Sequence, residues 1–433
     1  MAPEKNIIIV GGGFAGTSFA KACRGRLPSG YRLIMVSEES YTTFNPMLPE
    51  AVGASIFPEQ LVAPLREVLD VRHAASRSQF VMGRVERVDW PRRELRCASL
   101  AGETILAFEH LVMAFGNRAR LDLIPGMAEH ALPLKTVGDA MHIRNRVLQR
   151  LARLELEDDP ALRQRLGHFV VIGGGFSGVE VAGELIDCLR SILPFYPRVK
   201  ASEVGVSVVQ NIDRLLPELP PVLGMRALQS LRSRGVQVLL NLSAKAVSAE
   251  GVALTDGSTI AASTVISTIG TRPNALSQHL ATTLGVEVVR GRMVTQPDGQ
   301  IPSRPGLWAI GDCAQIHNAR DDTAAPPTAQ FAIQEGKLAA RNLLAVLAQQ
   351  PTKPLNYQSR GMMAAMGHQR GVALVMGVTF SGLPAWLMWR AYYLSQMPTF
   401  GRKLRIFVEW TWGMVFSADI THLRFTRSED QAE

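Results

Sequence analysis

The chain has 433 residues, which at roughly 150 residues per domain is enough for about three domains. Hydrophobic residues make up 47% of it and charged residues 19%, a composition that excludes a disordered or fibrous protein. The 46 Lys and Arg exceed the 38 Asp and Glu modestly, for a net charge of +8. This surplus is compatible with nucleic acid, anionic lipid or acidic small molecules as partners.

The cysteines and histidines lack the spacing of a metal site. Four cysteines stand far apart, and the nine histidines show no HxxxH or HxH pattern. We therefore expect no metal, no disulfide framework and a reducing compartment. The few residues before Ile7 are too short and too acidic for a signal peptide, and they lead directly into a predicted buried strand.

The first motif is a glycine loop between an aliphatic strand and a helix. Residues 7–10 read IIIV and run into Gly11-x-Gly13-x-x-Gly16. This order is typical of a dinucleotide-binding turn, where the helix N-terminus faces a pyrophosphate. The next strand, 31–36, ends at Ser37-Glu38-Glu39. We predict that Glu38 accepts hydrogen bonds from a ribose, with Ser37 and Glu39 as the alternatives in other registers.

The motif occurs a second time, at residues 169–178, which read FVVIGGGFSG. Here the loop is Gly173-x-Gly175-x-x-Gly178, and the next strand, 204–209, ends at Gln210 in place of an acid. An amide hydrogen-bonds a ribose but does not repel a 2′-phosphate, so the choice between NADH and NADPH stays open. Arg214 is either a phosphate ligand or a solvated surface charge.

The duplication predicts two dinucleotide sites and thus a relay, in which a diffusible nicotinamide delivers hydride to a bound flavin. The apolar stretch 307–310 ends in Gly311-Asp312, where an aspartate is placed to hold ribityl hydroxyls. Residues 268–274 close the middle domain around Gly270, and residues 112–116 end the first segment at Gly116.

With these motifs the chain resembles the type II NADH dehydrogenases, single-chain NADH:quinone oxidoreductases of the FAD/NAD(P) disulfide-reductase superfamily. The resemblance extends over nearly the whole chain. Its main stretches are Phe44-Asn45-Pro46-Met47-Leu48, residues 178–185, residues 309–314, residues 326–334 and a Trp-rich tail. It implies non-covalent FAD, NADH or NADPH as cosubstrate, a quinone of the ubiquinone or menaquinone type, and no proton pumping.

The resemblance also implies the site residues. A helix opening at Thr328 is expected to point its positive end at the flavin. Gln330 and Gln334, four apart on one helix face, are expected to donate to a quinone carbonyl. Glu180 is expected near nicotinamide or quinone, assisting proton uptake. The expected cofactor contacts are Gly11, Gly13, Phe14, Ala15, Gly16, Glu38, Pro46, Ala114, Gly116, Gly173, Gly175, Gly178, Gln210, Gly270, Gly311, Asp312, Ala329 and Gln330.

Two positions depart from the usual pattern or leave a role open. Glu335 stands where the family commonly has a second adjacent glutamine, and it either changes the charge of the pocket or faces solvent. Cys313 directly follows the flavin aspartate and is the cysteine expected near the cofactor. One thiol cannot form an internal disulfide, so a redox role is not favoured.

Three other functions remain as alternatives. Sulfide:quinone oxidoreductases share the layout, but they need cysteines beside the flavin, and Cys97 and Cys188 lie in unsuitable segments. A soluble electron-carrier flavin reductase is the second alternative. A non-catalytic, NADH-sensing flavoprotein is the third.

The C-terminal region contains a 19-residue uncharged run, 371–389. We predict a strand, a turn and a new helix at Pro384 rather than a membrane span. Trp386, Trp389, Trp410 and Trp412, with Tyr392, Tyr393, Arg390, Arg402, Lys403 and Arg405, predict docking of residues 384–412 on an anionic membrane surface. A buried packing element or a homodimer interface is the alternative, and nucleic-acid binding is not expected.

The predicted fold class is α/β, with two Rossmann-like domains and an amphipathic C-terminal segment that docks on the membrane. The FAD-binding domain is expected from residues 1–120 and 270–355, the NAD(P)H-binding domain from 121–269, and the C-terminal segment from 356–433. The expected location is the cytoplasmic side of the cell membrane, with peripheral, monotopic attachment.

Overall fold

The computed structural model describes residues 4–73, 76–397, 399–416 and 418–422, which form two compact units. The first unit contains the described parts of Met1–Thr43, Val62–Arg118 and Thr271–Ser359. The second contains those of Phe44–Leu61, Ala119–Gly270 and Arg360–Glu433. Two groupings differ from the predicted domains. Residues 44–61 belong with the second unit, and so does the described part of the C-terminal segment from Arg360 onward, whereas 356–359 belong with the first.

The elements are numbered in chain order. The strands are β1 (Lys5–Val10), β2 (Tyr31–Ser37), β3 (Tyr41–Thr43), β4 (Val62–Pro64), β5 (Ser78–Asp89), β6 (Glu94–Ser99), β7 (Gly102–Ala107), β8 (His110–Met113), β9 (Asn117–Ala119), β10 (Ala131–Pro133), β11 (His168–Ile172), β12 (Gly205–Val209), β13 (Gln237–Leu239), β14 (Ala244–Ser248), β15 (Gly251–Leu254), β16 (Thr259–Ala261), β17 (Thr264–Ser267), β18 (Thr271–Pro273), β19 (Val288–Val289), β20 (Arg292–Val294), β21 (Leu307–Ala309), β22 (Ala314–Gln315), β23 (His317–Asn318), β24 (Thr323–Ala324), β25 (Gly361–Ala365), β26 (Gly371–Val375) and β27 (Val378–Ser381). The helices are α1 (Phe14–Cys23), α2 (Leu48–Val52), α3 (Leu65–Val68), α4 (Met127–His130), α5 (Val137–Leu156), α6 (Pro160–Gly167), α7 (Phe176–Ile192), α8 (Pro221–Arg232), α9 (Ala275–Leu284), α10 (Ala329–Leu347), α11 (Leu383–Gln396) and α12 (Phe400–Trp412).

The first unit is built on a seven-stranded sheet in the order β21-β8-β1-β2-β5-β6-β7. The strands from β21 to β5 run parallel, whereas β5, β6 and β7 pair antiparallel. β1 is central, and its aliphatic residues Ile7, Ile8 and Ile9 are fully buried, as expected for a parallel strand covered on both faces. α1 packs against α10, where a Cβ added at Gly336 would overlap the Ala15 carbonyl oxygen, so glycine permits the close approach of the two helices.

The second unit is built on a five-stranded parallel sheet in the order β10-β17-β11-β12-β13. Thr136 caps α5, since its hydroxyl accepts from the Asp139 backbone N–H while the Asp139 carboxylate accepts from the Thr136 N–H. Two three-stranded antiparallel sheets, β14-β15-β16 and β25-β26-β27, complete the unit, and α11 packs on the latter.

The two strand–loop–helix repeats match residue for residue. Val10 pairs with Val36 in the first sheet, and Ile172 pairs with Val209 in the second. The next backbone N–H, of Gly11 or Gly173, donates to the carbonyl of Val36 or Val209. Gln210 is therefore the counterpart of Ser37, and the counterpart of Glu38 is Asn211.

The uncharged run 371–389 contains β26, β27 and the start of α11, with Pro384 in the first turn of that helix. The predicted strand and helix are present, but the stretch predicted as a turn contains a second strand, β27, which pairs with β26. Along the chain as far as it is described, no helix combines the length and the apolar character needed to cross a membrane.

Candidate active site

The first glycine loop leaves an open approach to the start of α1. Gly11 has φ +110°, a conformation that side chains rarely adopt, and a Cβ at Gly16 would overlap the Gly11 carbonyl oxygen. Gly13 is the N-cap of α1, and a Cβ added there would meet no atom within 4 Å. The loop is thus tight against its own helix and open on the side where a phosphate is expected.

Two carboxylates of the first unit stand at strand ends near such a ligand. Glu38 follows β2, is exposed, and forms an ion pair with Arg118. Asp312 follows β21 in a short 3₁₀ helix, Gly311–Cys313, and its Oδ2 accepts from Asn117 Nδ2 at 3.0 Å. Both carboxylates are acceptors suited to the hydroxyls of a ribose or ribityl chain.

The predicted helix at Thr328 is α10, and the Thr328 hydroxyl caps it by accepting from the Phe331 N–H. Gln330 and Gln334 lie on this helix in the first unit, both partly exposed. The Gln330 amide oxygen accepts from the Tyr357 hydroxyl at 3.2 Å and from Ser359 Oγ at 3.4 Å. The structure therefore orients Gln330 through a tyrosine that the sequence analysis did not single out.

Glu335 does not face solvent, so that alternative is wrong. The residue is buried, and its Oε2 accepts from the Gly311 N–H at 2.6 Å, fixing the glycine that precedes Asp312. Burial raises the pKa of Glu335 to about 7, an effect that the Gly311 hydrogen bond opposes.

The second glycine loop repeats the geometry of the first. Gly173 has φ +110°, a Cβ at Gly178 would overlap the Gly173 carbonyl oxygen, and Gly175 has nothing within 4 Å of its Cβ position. At the strand end, however, Gln210 folds back on the loop. Its Oε1 accepts from the Gly174 N–H at 3.0 Å and its Nε2 donates to the Arg214 carbonyl at 3.2 Å, while Asn211 is exposed.

Glu180 lies on α7 in the second unit and is only 6% exposed. Its Oε1 accepts from the Ala365 N–H at 3.1 Å and from the Trp389 indole N–H at 3.2 Å. Burial raises the pKa of Glu180 well above its usual range, which favours the protonated form of this carboxyl.

Two further buried carboxyls accompany Glu180. Glu184 accepts from Ser55 Oγ at 2.6 Å, and Glu50 accepts from the Trp410 indole N–H at 2.9 Å. Arg390 Nη2 lies 3.9 Å from Glu50 Oε1, and the guanidinium stacks 3.7 Å from the Trp386 ring centre. Neither Glu50 nor Glu184 was assigned a role from the sequence. The four-residue spacing of Glu184 from Glu180, which places both on one face of a helix, could have indicated that Glu184 lies near Glu180.

The other expected cofactor contacts divide between the two units. Phe14 and Ala15 begin α1, Ala114 and Gly116 follow β8, and Ala329 begins α10, all in the first unit. Pro46, in a 3₁₀ helix at Asn45–Met47, and Gly270, after β17, lie in the second.

The four cysteines are free and buried. Cys188 is a buried residue of α7. Cys313 donates its thiol hydrogen to backbone carbonyls of Met113 and Ile310, and burial raises its pKa to about 12. The thiolate that redox or sulfur chemistry needs is therefore strongly disfavoured.

The prediction that the C-terminal tryptophans face a membrane surface is wrong for three of the four. Trp386, Trp389 and Trp410 are buried, and Arg390 packs among them rather than standing at a surface. The alternative of a buried packing element describes these residues. Trp412 alone of the four tryptophans is exposed, at 62%.

The residues present fit the cofactors that the predicted family implies. Each loop offers a backbone cradle with an open Cβ position at a helix start, and neither α1 nor α7 has an acid in its first turn to repel phosphate. In the first unit, Glu38 and Asp312 add the acceptors that FAD hydroxyls require. In the second, the exposed strand-end residue is the neutral Asn211.

Residues 5–336 match the family model described as pyridine nucleotide-disulphide oxidoreductase. The chain belongs to this family. The prediction of an oxidoreductase that uses FAD and NADH is confirmed at the family level.

Curated relatives are similar to the chain over most of its length, and a solved structure shares its fold. The type II NADH:quinone oxidoreductase Ndh of Mycobacterium tuberculosis is 27% identical over 422 residues, covering 94% of this chain and 87% of that protein. The demethylphylloquinone reductase NdbB of Synechocystis is 28% identical over 414 residues, covering 93% and 95%. The structure of NDH2 from Plasmodium falciparum in complex with NADH has the same fold, with a TM-score of 0.87 at 18% identity, covering 96% of this chain and 100% of that one.

Proposed function

We propose that this protein is a type II NADH:quinone oxidoreductase, which oxidises NADH with bound FAD and reduces a membrane quinone without pumping protons. The observation that carries the proposal is the duplicated glycine loop, open at Gly13 in one unit and at Gly175 in the other. Two dinucleotide cradles are what a transfer from a mobile nicotinamide to a resident flavin requires. The curated relatives that match over most of the chain carry this activity in their names.

The chain binds and orients the reactants, and the chemistry of electron transfer belongs to the cofactor. FAD, held by the residues of the first unit, would supply the capacity to accept a hydride and to release two electrons to quinone. The capped N-terminus of α10 supplies a positive dipole end for charge that develops on the flavin ring. Gln330 and Gln334 are uncharged donors for a quinone carbonyl, and the Tyr357 hydrogen bond holds the first of them in place.

Glu180 is proposed as the proton donor to the quinone side. Burial raises its pKa and so favours the protonated form, and the Trp389 and Ala365 N–H groups fix the acceptor oxygen. A neutral buried carboxyl can release this proton when charge develops nearby, which is the usual behaviour of a general acid with a raised pKa.

We further propose that the second unit accepts NADH and tolerates NADPH. Gln210 is committed to its own loop, and Asn211 is the exposed strand-end side chain. Neither residue carries the negative charge that repels a 2′-phosphate, so discrimination by repulsion is missing at these two positions.

We propose that α12 docks on the membrane. The residues proposed to contact lipid differ from those predicted from the sequence, because Trp386, Trp389 and Trp410 are buried. The exposed apolar side chains of α12 follow one helical stripe: Phe400, Leu404, Phe407, Val408 and Trp412. Arg405 is exposed on the same helix and suits an anionic surface, on the cytoplasmic side by expectation. The same exposed apolar residues of α12 could instead form a homodimer interface, which is the alternative proposal.

Vesicle flotation tests the docking proposal. We expect Phe407→Glu to weaken binding to vesicles containing phosphatidylglycerol by about tenfold, because a charge replaces an aromatic side chain that would enter the lipid. Leu100→Glu, at an exposed leucine of the first unit, is the matched control and leaves binding unchanged. Equal loss in both variants, or none in either, contradicts docking by α12.

The activity is tested by separating its two halves. Under anaerobic conditions NADH is expected to bleach the flavin absorbance, and an added ubiquinone or menaquinone analogue is expected to restore it. Bleaching by sulfide but not by NADH would instead establish the sulfide:quinone alternative. NADH bleaching with no recovery on addition of any quinone would favour a sensor.

A further inference from the structure

The second unit contains a cavity of about 340 Å³ beside the buried carboxyls. Its wall includes the α7 residues Glu184, Asp187 and Ser191, together with the C-terminal aromatic residues Trp410 and Phe416. Phe416 is half exposed, whereas Trp410 is buried, so the wall extends from the surface of the unit to its interior.

Glu184 and Glu180 occupy different positions relative to this cavity. Glu184 is part of the wall, whereas Glu180 is not. The two carboxyls are four residues apart on α7, which places them on one helix face about 5–6 Å apart at Cβ. Glu180 is only 6% exposed, and its Oε1 accepts from both the Ala365 N–H and the Trp389 indole N–H, so we expect a proton that it loses to be replaced through a neighbouring group.

Glu184 has the surroundings of a group that exchanges a proton. The Ser55 hydroxyl donates to it, Glu50 faces it from α2, Arg390 from α11, Asp187 from its own helix and Arg234 just after α8. Burial, and next the charge of Glu50, raise its pKa to about 8, while Arg390 acts against this rise. A carboxyl that lines a cavity and has a pKa in this range is suited to exchanging protons with water.

The cavity wall also carries charged side chains. Arg144 and Arg390 line the cavity together with Glu184 and Asp187. Polar cavities of this size ordinarily hold water, whereas dry cavities are lined by apolar side chains.

The proposed reaction requires a route by which protons enter from solution. NADH carries two electrons and one proton as hydride, and the quinol gains two electrons and two protons. One proton must therefore come from solution in each turnover, with NAD⁺ and quinol as the products.

We propose that this cavity is the proton inlet of the enzyme, and that Glu184 takes the solution proton there and returns it to Glu180 one helical turn away. In each cycle the O–H bond of Glu184 breaks as that of Glu180 forms, and water in the cavity then reprotonates Glu184. Glu184 is thus a positioning residue that acts through Glu180, and its role rests on the proposed quinone reduction.

Glu184→Gln tests the inlet, because glutamine keeps an acceptor for Ser55 but holds no exchangeable acid proton. We expect quinone reduction at pH 7 to slow about tenfold, with a larger solvent deuterium isotope effect. The rate of anaerobic flavin bleaching by NADH stays unchanged. The wild-type rate falls as pH rises through about 8, where Glu184 loses its proton, and this inflection is absent in the variant. The infrared band of a protonated carboxyl that titrates near that pH disappears with it.

Two variants complete the test. Glu409→Gln changes another carboxyl of the same cavity wall, one that accepts from the Phe57 N–H, and leaves rate and pH profile unchanged. Glu184→Asp retains a carboxylic acid and restores most of the rate and the inflection. An unchanged rate and pH profile in Glu184→Gln, equal slowing of both half-reactions, or a Glu184→Asp enzyme as slow as the glutamine variant each overturns the inlet. A wild-type protein that reduces no quinone would instead refute the proposed function.

Discussion

Helices α1 and α7 begin from the same loop and end with different chemistry. Both follow a glycine at φ +110°, both have an open Cβ position at the N-cap, and both have a glycine two residues into the helix that contacts the loop carbonyl. In the matched register Ser18 corresponds to Glu180, and Ala22 corresponds to Glu184. The shared backbone is what two dinucleotide sites require, and the side chains one and two turns later are those that we propose to handle protons in the second unit.

The energetic surroundings of the two helices differ in the same way. α1 packs closely on α10 through small residues such as Ala15 and Gly336. α7 instead buries carboxyls that are compensated by the Trp389 indole, by Ser55 and by Arg390. Buried ionisable groups cost stability unless they are neutral or paired. Two on one helix face are therefore expected to have a functional reason.

The largest expected effect separates the two loops. Gly13→Val should abolish FAD retention, whereas Gly175→Val should keep FAD and raise the KM for NADH by about a hundredfold, because each side chain fills only the approach of a phosphate. The absorbance ratio of purified protein and steady-state kinetics measure the two outcomes.

Gly138→Val is the matched control for this pair. It places the same side chain in the first turn of α5, where no glycine loop precedes the helix, and should change neither quantity. Loss of FAD in Gly175→Val but not in Gly13→Val would reverse the assignment of the two loops.

The next effect concerns Glu180 and its counterpart. Glu180→Gln keeps an oxygen for the Ala365 and Trp389 donors but cannot deliver a proton, so quinone reduction should slow about a hundredfold while NADH bleaching is unaffected. Ser18→Ala, at the matched position of α1, should leave both half-reactions at the wild-type rate. Equal rates in Glu180→Gln and the wild type would show that Glu180 delivers no proton.

A smaller effect is expected at the strand ends. Asn211→Asp gives the second unit an exposed carboxylate at the position that Glu38 occupies in the first, and should raise the preference for NADH over NADPH about tenfold through repulsion of the 2′-phosphate. The ratio of kcat/KM for NADH to kcat/KM for NADPH measures this preference. Gln229→Glu, on the exposed face of α8, is the control that adds the same charge away from the strand end and should leave the ratio unchanged. An unchanged ratio in Asn211→Asp would place the ribose away from this residue.

The sequence was sufficient for the parts of the site that depend on local backbone chemistry. Both glycine loops, the strand before each, the helix at Thr328 and the helix that begins near Pro384 follow from short motifs, and the structure contains them. The neutral end of the second strand was also evident, although the matched register shows that its exposed residue is Asn211 rather than Gln210.

The remainder depends on contacts that connect distant parts of the chain. Trp410 donates to Glu50, 360 residues earlier, and Trp389 donates to Glu180, 209 residues earlier. The sequence pattern placed these tryptophans at a membrane surface because amphipathic aromatics beside arginine occur there too. Likewise Glu335 gave no local sign that it would bind the Gly311 backbone.

The central claim is that one chain holds two adenine dinucleotides at separate sites. The most direct measurement is a calorimetric titration of the purified, flavin-loaded protein with NAD⁺, alongside the FAD content of the same sample. We expect one FAD to be retained per chain, and NAD⁺ to bind saturably at one further site without displacing the flavin. Protein that retains no FAD, or NAD⁺ binding that displaces FAD one for one, would contradict it.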